Sequence, residues 1–438
     1  MSRTGNTTDF LAGLQWLFFM FANTVVIPLT IGEAFDLSSM EVASALQRSF
    51  IFTGAACMLQ VLFGHKYPLM EGHSGIWWGA ILSLAASASS AGMTTAEAGG
   101  GLAVGIILSG VLTVVLGALG MGEVLKKLFK PVVMSTVLFL LASQLITIFA
   151  KGMLGLSTGD QIDLPTAGLS FVIILLVAWI TIKGPASMRN FAILIGMVFG
   201  WMVYVLLFPA APDETSQSTQ LVNLFPWGKP SFSLGLIMMA VVTGLVNTSN
   251  TMASIKGIET LINKKTTQKQ YKSSFVVTGL SSVVAGLFGL VPYGPYISSL
   301  GFLQSTQIFR RLPLIIGSSL FILLGLVPSL GHFFSTLPVS VGNAVLFVAY
   351  LQLFSGALTN LNGITFTSKT IYRISAPVLL GIAIMNIPSE TFSSLPFLIR
   401  PLLSNGLLVG IVLAIILENV VDWSKFVEKE AKKGRESS

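Results

Sequence analysis

Apolar stretches of about 17–25 residues, each long enough to cross a bilayer as a helix, recur along this chain, and the loops between them alternate in charge. No other feature restricts the fold as much. Glu33, Asp36 and Glu41 fall on one side, and His65 and Lys66 on the other. Glu97 precedes the cluster Lys126, Lys127 and Lys130; Asp160 and Asp163 precede Lys183 and Arg189. Asp213 and Glu214 precede a connection with Lys256, Lys264, Lys265, Lys269 and Lys272. Twenty-one basic residues collect on one side, only Lys151, Lys229 and Arg400 on the other, and Arg48 lies within a span. By the positive-inside rule the basic side is cytoplasmic, and both termini are expected there. A soluble apolar protein would have no reason to segregate its charges in this way.

The composition, 53% hydrophobic and 10% charged, agrees with a multi-pass protein of the cytoplasmic membrane. The net charge of +7 is accounted for by loops facing anionic headgroups of the lipid bilayer, so no nucleic-acid partner is inferred. One cysteine, Cys57, and three scattered histidines, His65, His73 and His332, offer no disulfide framework and no metal spacing. No metal and no cofactor is expected. The first span follows Asp9 directly and reads as a retained helix rather than a cleaved signal.

Spans are expected near 10–31, 42–64, 69–90, 99–120, 131–150, 166–183, 190–209, 233–253, 274–292, 294–309, 312–330, 338–358, 371–388 and 400–421. The fold class is therefore an all-α polytopic membrane protein of about fourteen spans. The Pro-rich, acidic stretch 209–231 divides the chain into seven spans and seven. With an odd number per half, the second half enters the bilayer in the opposite sense, the condition for an inverted repeat. The third span of each half opens on Pro and Gly where hydrocarbon is expected: Tyr67 to Gly75 in one, Val291 to Tyr296 in the other. Such backbone is tolerated only inside protein or beside a polar cavity, and paired interrupted spans point to a transport site. Short strands are expected near Met70–Ser74 and Tyr293–Tyr296, lying side by side.

Glu71 and His73 precede the half-helix of span 3. Ionisable groups at that depth mark ion or proton pathways, and histidine titrates near neutrality. The competing reading for Glu71 is a surface pair with Lys66. Arg48, Lys183 and Glu418 are expected to snorkel to the interface. Trp16, Trp77 and Phe302 are candidates for stacking on a flat ligand, against the commoner fate of core or lipid contact.

Several segments resemble the nucleobase–ascorbate transporter family, the nucleobase:cation symporter-2 group of xanthine, uracil and uric acid permeases. Gly13-Leu14-Gln15-Trp16, then Met20-Phe21-Ala22 and Val26-Ile27-Pro28-Leu29, resemble its GLQH…MFA…VPL stretch. Gly286 to Tyr293 resembles the approach to its broken tenth span, and Ser298 to Thr306 lies on the signature [Q/E/P]-N-x-G-x4-T. Pro338 to Ala344 and Pro401 to Gly406 resemble its twelfth and fourteenth spans. The chain reads as an atypical member. Trp16 stands where the family has His, Ser298 and Ser299 replace the signature's leading pair, and Asn247 replaces the acid of span 8.

The resemblance implies a core domain, 1–120 and 233–330, carrying substrate past a gate domain, 121–209 and 331–421, with a connection at 210–232 and a cytoplasmic tail at 422–438. It implies a substrate site, for which the candidates are Asn247, Ser298, Ser299, Gly75, Ser74, Gln15, Gly301 and Thr306. With the family's carboxylates absent from spans 8 and 10, Glu71 and His73, the titratable groups near the broken spans, are the candidate proton-coupling groups. The expected activity is import of a nucleobase, a purine in particular, with H⁺ symport. The base, the coupling ion and the choice between monomer and homodimer stay open. The alternatives are a sulfate-type anion transporter of the same fold and a membrane enzyme or sensor. The last is disfavoured by the lack of a triad, metal cluster or phosphate loop.

Overall fold

A computed structural model describes residues 3–88, 92–120, 122, 127–156, 161–189, 191–208, 221–396, 398–421 and 423. Most of the expected connection (209–220, with Asp213 and Glu214), Lys126, Asp160 and the tail 424–438 lie outside them. The first half comprises α1 (Arg3–Thr24), α2 (Val26–Ala34), α3 (Ser39–Leu62), β1 (Glu71–His73), α4 (Gly75–Ser87) and α5 (Thr95–Leu119). It continues with α6 (Pro131–Met153), α7 (Leu164–Lys183), α8 (Ala186–Arg189) and α9 (Ala192–Leu207). The second half comprises α10 (Leu234–Ile262), α11 (Gln268–Phe288), β2 (Tyr293–Pro295), α12 (Ser298–Thr306), α13 (Arg311–Leu326) and α14 (Pro328–Ser335). It ends with α15 (Val339–Asn360), α16 (Ser368–Met385), a 3₁₀ turn (Ser389–Ser394), α17 (Arg400–Leu403) and α18 (Gly406–Asn419). Helix falls on all fourteen expected segments. Among the described residues, eight helices are long and apolar enough to cross a membrane by themselves, and α4, α9 and α18 are shorter apolar helices.

Local sequence sets the ends. Ser38 with Glu41, Thr94 with Glu97, and Thr267 with Gln270 form capping boxes at α3, α5 and α11, satisfying N–H groups that have no partner inside the helix. Proline occupies the first turn of α6 and α7, where its missing donor is harmless. Gly289 closes α11 in the left-handed region at φ 60°, leaving the chain free to turn into β2. Pro292 and Pro295 flank Tyr293 and Gly294 there and prevent helix from continuing.

Strands β1 and β2 pair antiparallel, with Glu71 opposite Pro295, Gly72 opposite Gly294 and His73 opposite Tyr293. Equivalent segments of the two halves thus run in opposite senses, as an inverted repeat requires. Helix packing obeys the same exchange. α1 packs on α13 as α10 does on α5, and α3 packs on α13 as α11 does on α5. α7 meets α9 as α16 meets α18, while α6 with α15 and β1 with β2 pair across the axis itself. Without a hydrophobic force between helices in lipid, small residues let backbones approach. At the α5–α11 crossing a Cβ on Gly110 would come within 2.8 Å of the Gly279 carbonyl oxygen. At the α3–α13 crossing a Cβ on Gly54 would come within 2.7 Å of the Ser318 oxygen.

Two charged residues expected at the interface are inside instead. Glu418 is buried and takes both Nε and Nη2 of Arg373 at 2.6 Å. Lys130 binds the Glu418 carbonyl, and Arg373 lies 5.5 Å from the Trp423 ring. The planar guanidinium matches the carboxylate, so the pair is held in the bundle rather than drawn to the surface. Arg48 is 2% exposed on the buried side of α3.

Candidate functional site

The strand pair is the centre around which the predicted residues fall. Side chains alternate across a strand. Glu71, His73, Tyr293 and Pro295 therefore share one face, and Gly72 and Gly294 the other. The glycine face looks toward α10, where a Cβ on Gly294 would lie 3.3 Å from Asn247 Oδ1. Two side chains of α10 grip β2: Asn247 Nδ2 donates to the Tyr293 carbonyl at 2.8 Å and Ser254 Oγ to the Pro295 carbonyl at 3.0 Å. A carbonyl can only accept, so the Asn247 amide is oriented with its nitrogen on the strand. Its oxygen accepts from Asn250 Nδ2 at 3.0 Å, and Asn250 also donates to Ser74 Oγ at 3.2 Å.

Ser74 is the N-cap of α4, but no side chain caps the first turn of that helix. Its leading N–H groups, beginning at Gly75, have no partner within the helix. A Cβ on Gly75 would meet Leu141 and Leu145 of α6 at 3.4 and 3.7 Å, so the turn borders span 5. Asn247, Asn250, Ser74, Gly75 and Gly294 form one polar row along the glycine face.

The signature residues of span 10 divide. Ser299 is wholly buried and its Oγ accepts from the Met70 backbone N–H at 3.1 Å, fastening α12 to the entry of β1. Ser298 is exposed, and Gly301 is exposed with open space where a side chain would stand. Thr306 donates to the Phe302 carbonyl at 2.9 Å, about 12 Å along the helix from Ser298. Gln15 is half-buried on α1 beside Trp16. Trp16 packs on Phe302 with ring centroids 4.5 Å apart and on Phe19 at 5.5 Å. Two of the candidate stacking rings thus pack against one another at a tilt of 59°, joining spans 1 and 10, and the third, Trp77, is 1% exposed in the core.

Glu71 and His73 lie on the opposite face, toward α3 and α11, and both are buried. Glu71 does not pair with Lys66. Its Oε1 accepts from Thr278 Oγ1 at 2.6 Å, and Thr278 accepts in turn from Gln60 Nε2 at 2.9 Å. Cys57 clasps its backbone, donating to the Glu71 carbonyl at 3.3 Å and accepting from its N–H at 3.2 Å. His73 Nδ1 is 2.7 Å from the Val291 carbonyl, which fixes the proton on Nδ1, and Tyr296 donates to the His73 carbonyl at 2.7 Å.

Asn250, Ser254, Cys57, Gln60 and Thr278 were not singled out as site residues by sequence reasoning. A signal for them exists in the spacing. Positions 247, 250 and 254 on α10, and 49, 53, 57 and 60 on α3, recur at helical intervals and lay polar atoms along one face.

The sequence profile of the Permease family matches residues 8–390. "Putative purine permease YwdJ" of Bacillus subtilis (strain 168) is 29% identical over 423 residues, covering 95% of this chain and 96% of that protein. The xanthine permease of the same organism is 24% identical over 440 residues, covering 98% of each. Among solved structures, the transmembrane domain of the cyanobacterial bicarbonate transporter BicA superposes with a TM-score of 0.66 at 12% identity. It covers 90% of this chain and 99% of that one. That likeness shows the fold, an inverted repeat of membrane helices.

Proposed function

The chain belongs to the nucleobase–ascorbate transporter family of membrane permeases, and from that membership we propose that it imports a purine nucleobase across the cytoplasmic membrane. The observation that carries this reading is the row Asn247–Asn250–Ser74 beside the uncapped first turn of α4. An amide offers a donor and an acceptor together, as the edge of a purine does. Helix N–H groups suit its carbonyl oxygens. Gly294 lets the Asn247 amide come close to the strand, and the Tyr296 ring lies against Gly72.

The transport step is a displacement of a core body, α1–α5 with α10–α13, past a gate body, α6–α9 with α15–α18. Supporting this, the extensive helix packing stays within each set, while α6 meets the core through Gly75 and through Gln144, whose Nε2 donates to the Gly79 carbonyl at 2.7 Å. Glu71 and His73 carry the coupling proton, since Asn247, Ser298 and Ser299 leave no titratable group at the family's other positions. A proton can shift the core only by its differential affinity for the two states.

The competing anion reading draws on the same uncapped helix end, which attracts any acceptor. One panel separates them: uptake of labelled adenine, guanine, hypoxanthine, xanthine, uracil and sulfate, with and without a proton uncoupler. Concentrative purine uptake that collapses with the uncoupler is expected. Sulfate uptake with no purine uptake would overturn the reading.

A further inference from the structure

Two polar atoms on the buried face of β1 are left over after every hydrogen bond there is assigned. They are Glu71 Oε2 and His73 Nε2, neither with a partner in hydrogen-bond geometry among the described residues. Their chemistry is complementary. The Thr278 hydroxyl donates to Glu71 Oε1 while accepting from the Gln60 amide, which occupies Oε1 and leaves Oε2 open. The open Oε2 is the seat this arrangement offers a proton on Glu71. His73 Nδ1–H is committed to the Val291 carbonyl, so Nε2 presents a lone pair. One orphan is a donor once protonated, the other an acceptor, and they stand two residues apart on one strand face. Orphaned buried atoms of this kind are the usual seats of ordered water.

We propose that Glu71 and His73 form one proton-binding unit, bridged by water, on the far side of the strand pair from the substrate row. This rests on the coupling role given to the two residues above. No Lys or Arg pairs with Glu71 among the described residues, and a lone buried carboxylate without a cation is costly. The unit is electrically neutral when it holds a single proton on Oε2. The titratable groups facing it are Cys57 from α3 and Tyr293 from β2, with the Tyr296 hydroxyl on the His73 carbonyl. Asp9 of α1 is bound to Arg310, and Glu259 of α10 to Thr266. Arg48, Lys269 and Lys272 lie about 9 Å or more away along their helices.

Proton and substrate then never touch. What joins them is the strand backbone: Asn247 holds the Tyr293 carbonyl from one side, and the His73 ring lies 4.9 Å from the Tyr293 ring on the other. The proton's arrival changes the charge under a ladder whose opposite face binds the base.

The test is an infrared pH titration of the lipid-reconstituted protein, with the proton as probe, alongside xanthine binding at a pH below the carboxyl midpoint, where Gln matches the protonated Glu71. Wild type is expected to show a titrating protonated-carboxyl band that Glu71→Gln removes. His73→Gln shifts its frequency and midpoint. Thr278→Val shifts it too while leaving both titratable groups in place, and Thr278→Ser restores it. In Glu71→Gln the xanthine Kd stays within about twofold of wild type. A band unmoved by His73→Gln would overturn the shared unit, and a tenfold loss of xanthine affinity in Glu71→Gln would overturn the separation of faces. If the infrared result holds but Glu71→Gln still accumulates purine with wild-type pH dependence, the proton unit stands and the coupling role falls.

Discussion

Spans 3 and 10 each place a three-residue strand before a half-helix, yet only β1 carries a carboxyl and an imidazole. β2 offers its neighbours backbone carbonyls, taken by Asn247 and Ser254. The half-helices differ in the same direction. α4 is almost wholly buried and borders α6, whereas α12 is shorter and exposes Ser298, Gly301 and Gln304. The repeat keeps its backbone geometry in both halves and divides its chemistry: span 3 is fitted for charge, while span 10 is held by neutral hydrogen bonds from span 8.

The largest contrast is expected at the entries to the strands. Gly289→Val, ahead of β2, puts a branched residue at φ 60° with its Cβ driven into the Pro226 ring. It should lower stability by at least about 2 kcal/mol, read as a drop in the thermal midpoint of the purified protein. Gly64→Ala, ahead of β1, has no left-handed φ to strain, though its Cβ presses on the Gln60 amide and lies 3.0 Å from the Gln60 Cα, and it should cost less, about 1 kcal/mol. Equal losses would erase the asymmetry.

Next comes Asn247→Ala, which strips the Tyr293 carbonyl and the Asn250 amide of a partner. Unpaired buried groups cost about 1–3 kcal/mol, so purine uptake should weaken roughly 5- to 150-fold at undiminished membrane expression. Unchanged kinetics would assign Asn247 to packing. Ser74→Ala removes one contact from Asn250 on the span 3 side. A net bond of about 0.5–1.5 kcal/mol predicts a loss of a few-fold in the same assay.

The smallest effect, and a pH-dependent one, belongs to His65 in the turn before β1. Burial, with the Arg311 guanidinium nearby, pushes its imidazole down to about 3, and its Nδ1 accepts from the Tyr67 N–H at 3.0 Å. Above the ordinary histidine value both folded and unfolded chains are neutral there. Between that value and about 3, only the unfolded chain takes up the proton, so stability falls as the solution is acidified. His65→Asn keeps an acceptor for Tyr67 and should change stability near pH 7.5 by less than about 1 kcal/mol. It should also flatten the decline of the thermal midpoint toward pH 4.5. An unflattened decline would place the acid sensitivity elsewhere.

The positions of the spans and of both breaks could be read before any coordinates, because Pro and Gly at Pro68, Gly72, Pro292 and Gly294 interrupt apolar runs that leave little else to happen. The faces could not. In a three-residue strand, which side Glu71 takes depends on its register against Pro295, and that register is made by the distant half of the chain. Thr278 and Gln60 were hidden for a different reason: a polar residue in an apolar helix reads as generic interhelical bonding until its partner is known. Glu418 illustrates the same limit, since Arg373 lies 45 residues earlier and only the packing of α16 on α18 brings them together.

The interleaving of the halves has a consequence for synthesis. β1 leaves the ribosome with its backbone donors and acceptors facing no strand, because Pro295, the partner of Glu71, lies 224 residues downstream. At roughly 5–20 residues per second the wait is on the order of 10–45 s, in surroundings where unpaired backbone groups cost several kcal/mol each. The first half must therefore spend its infancy as an unfinished insertion intermediate, sheltered by water or by the translocation machinery. Each half made alone should be degraded, and the two halves made together from separate messages should restore each other.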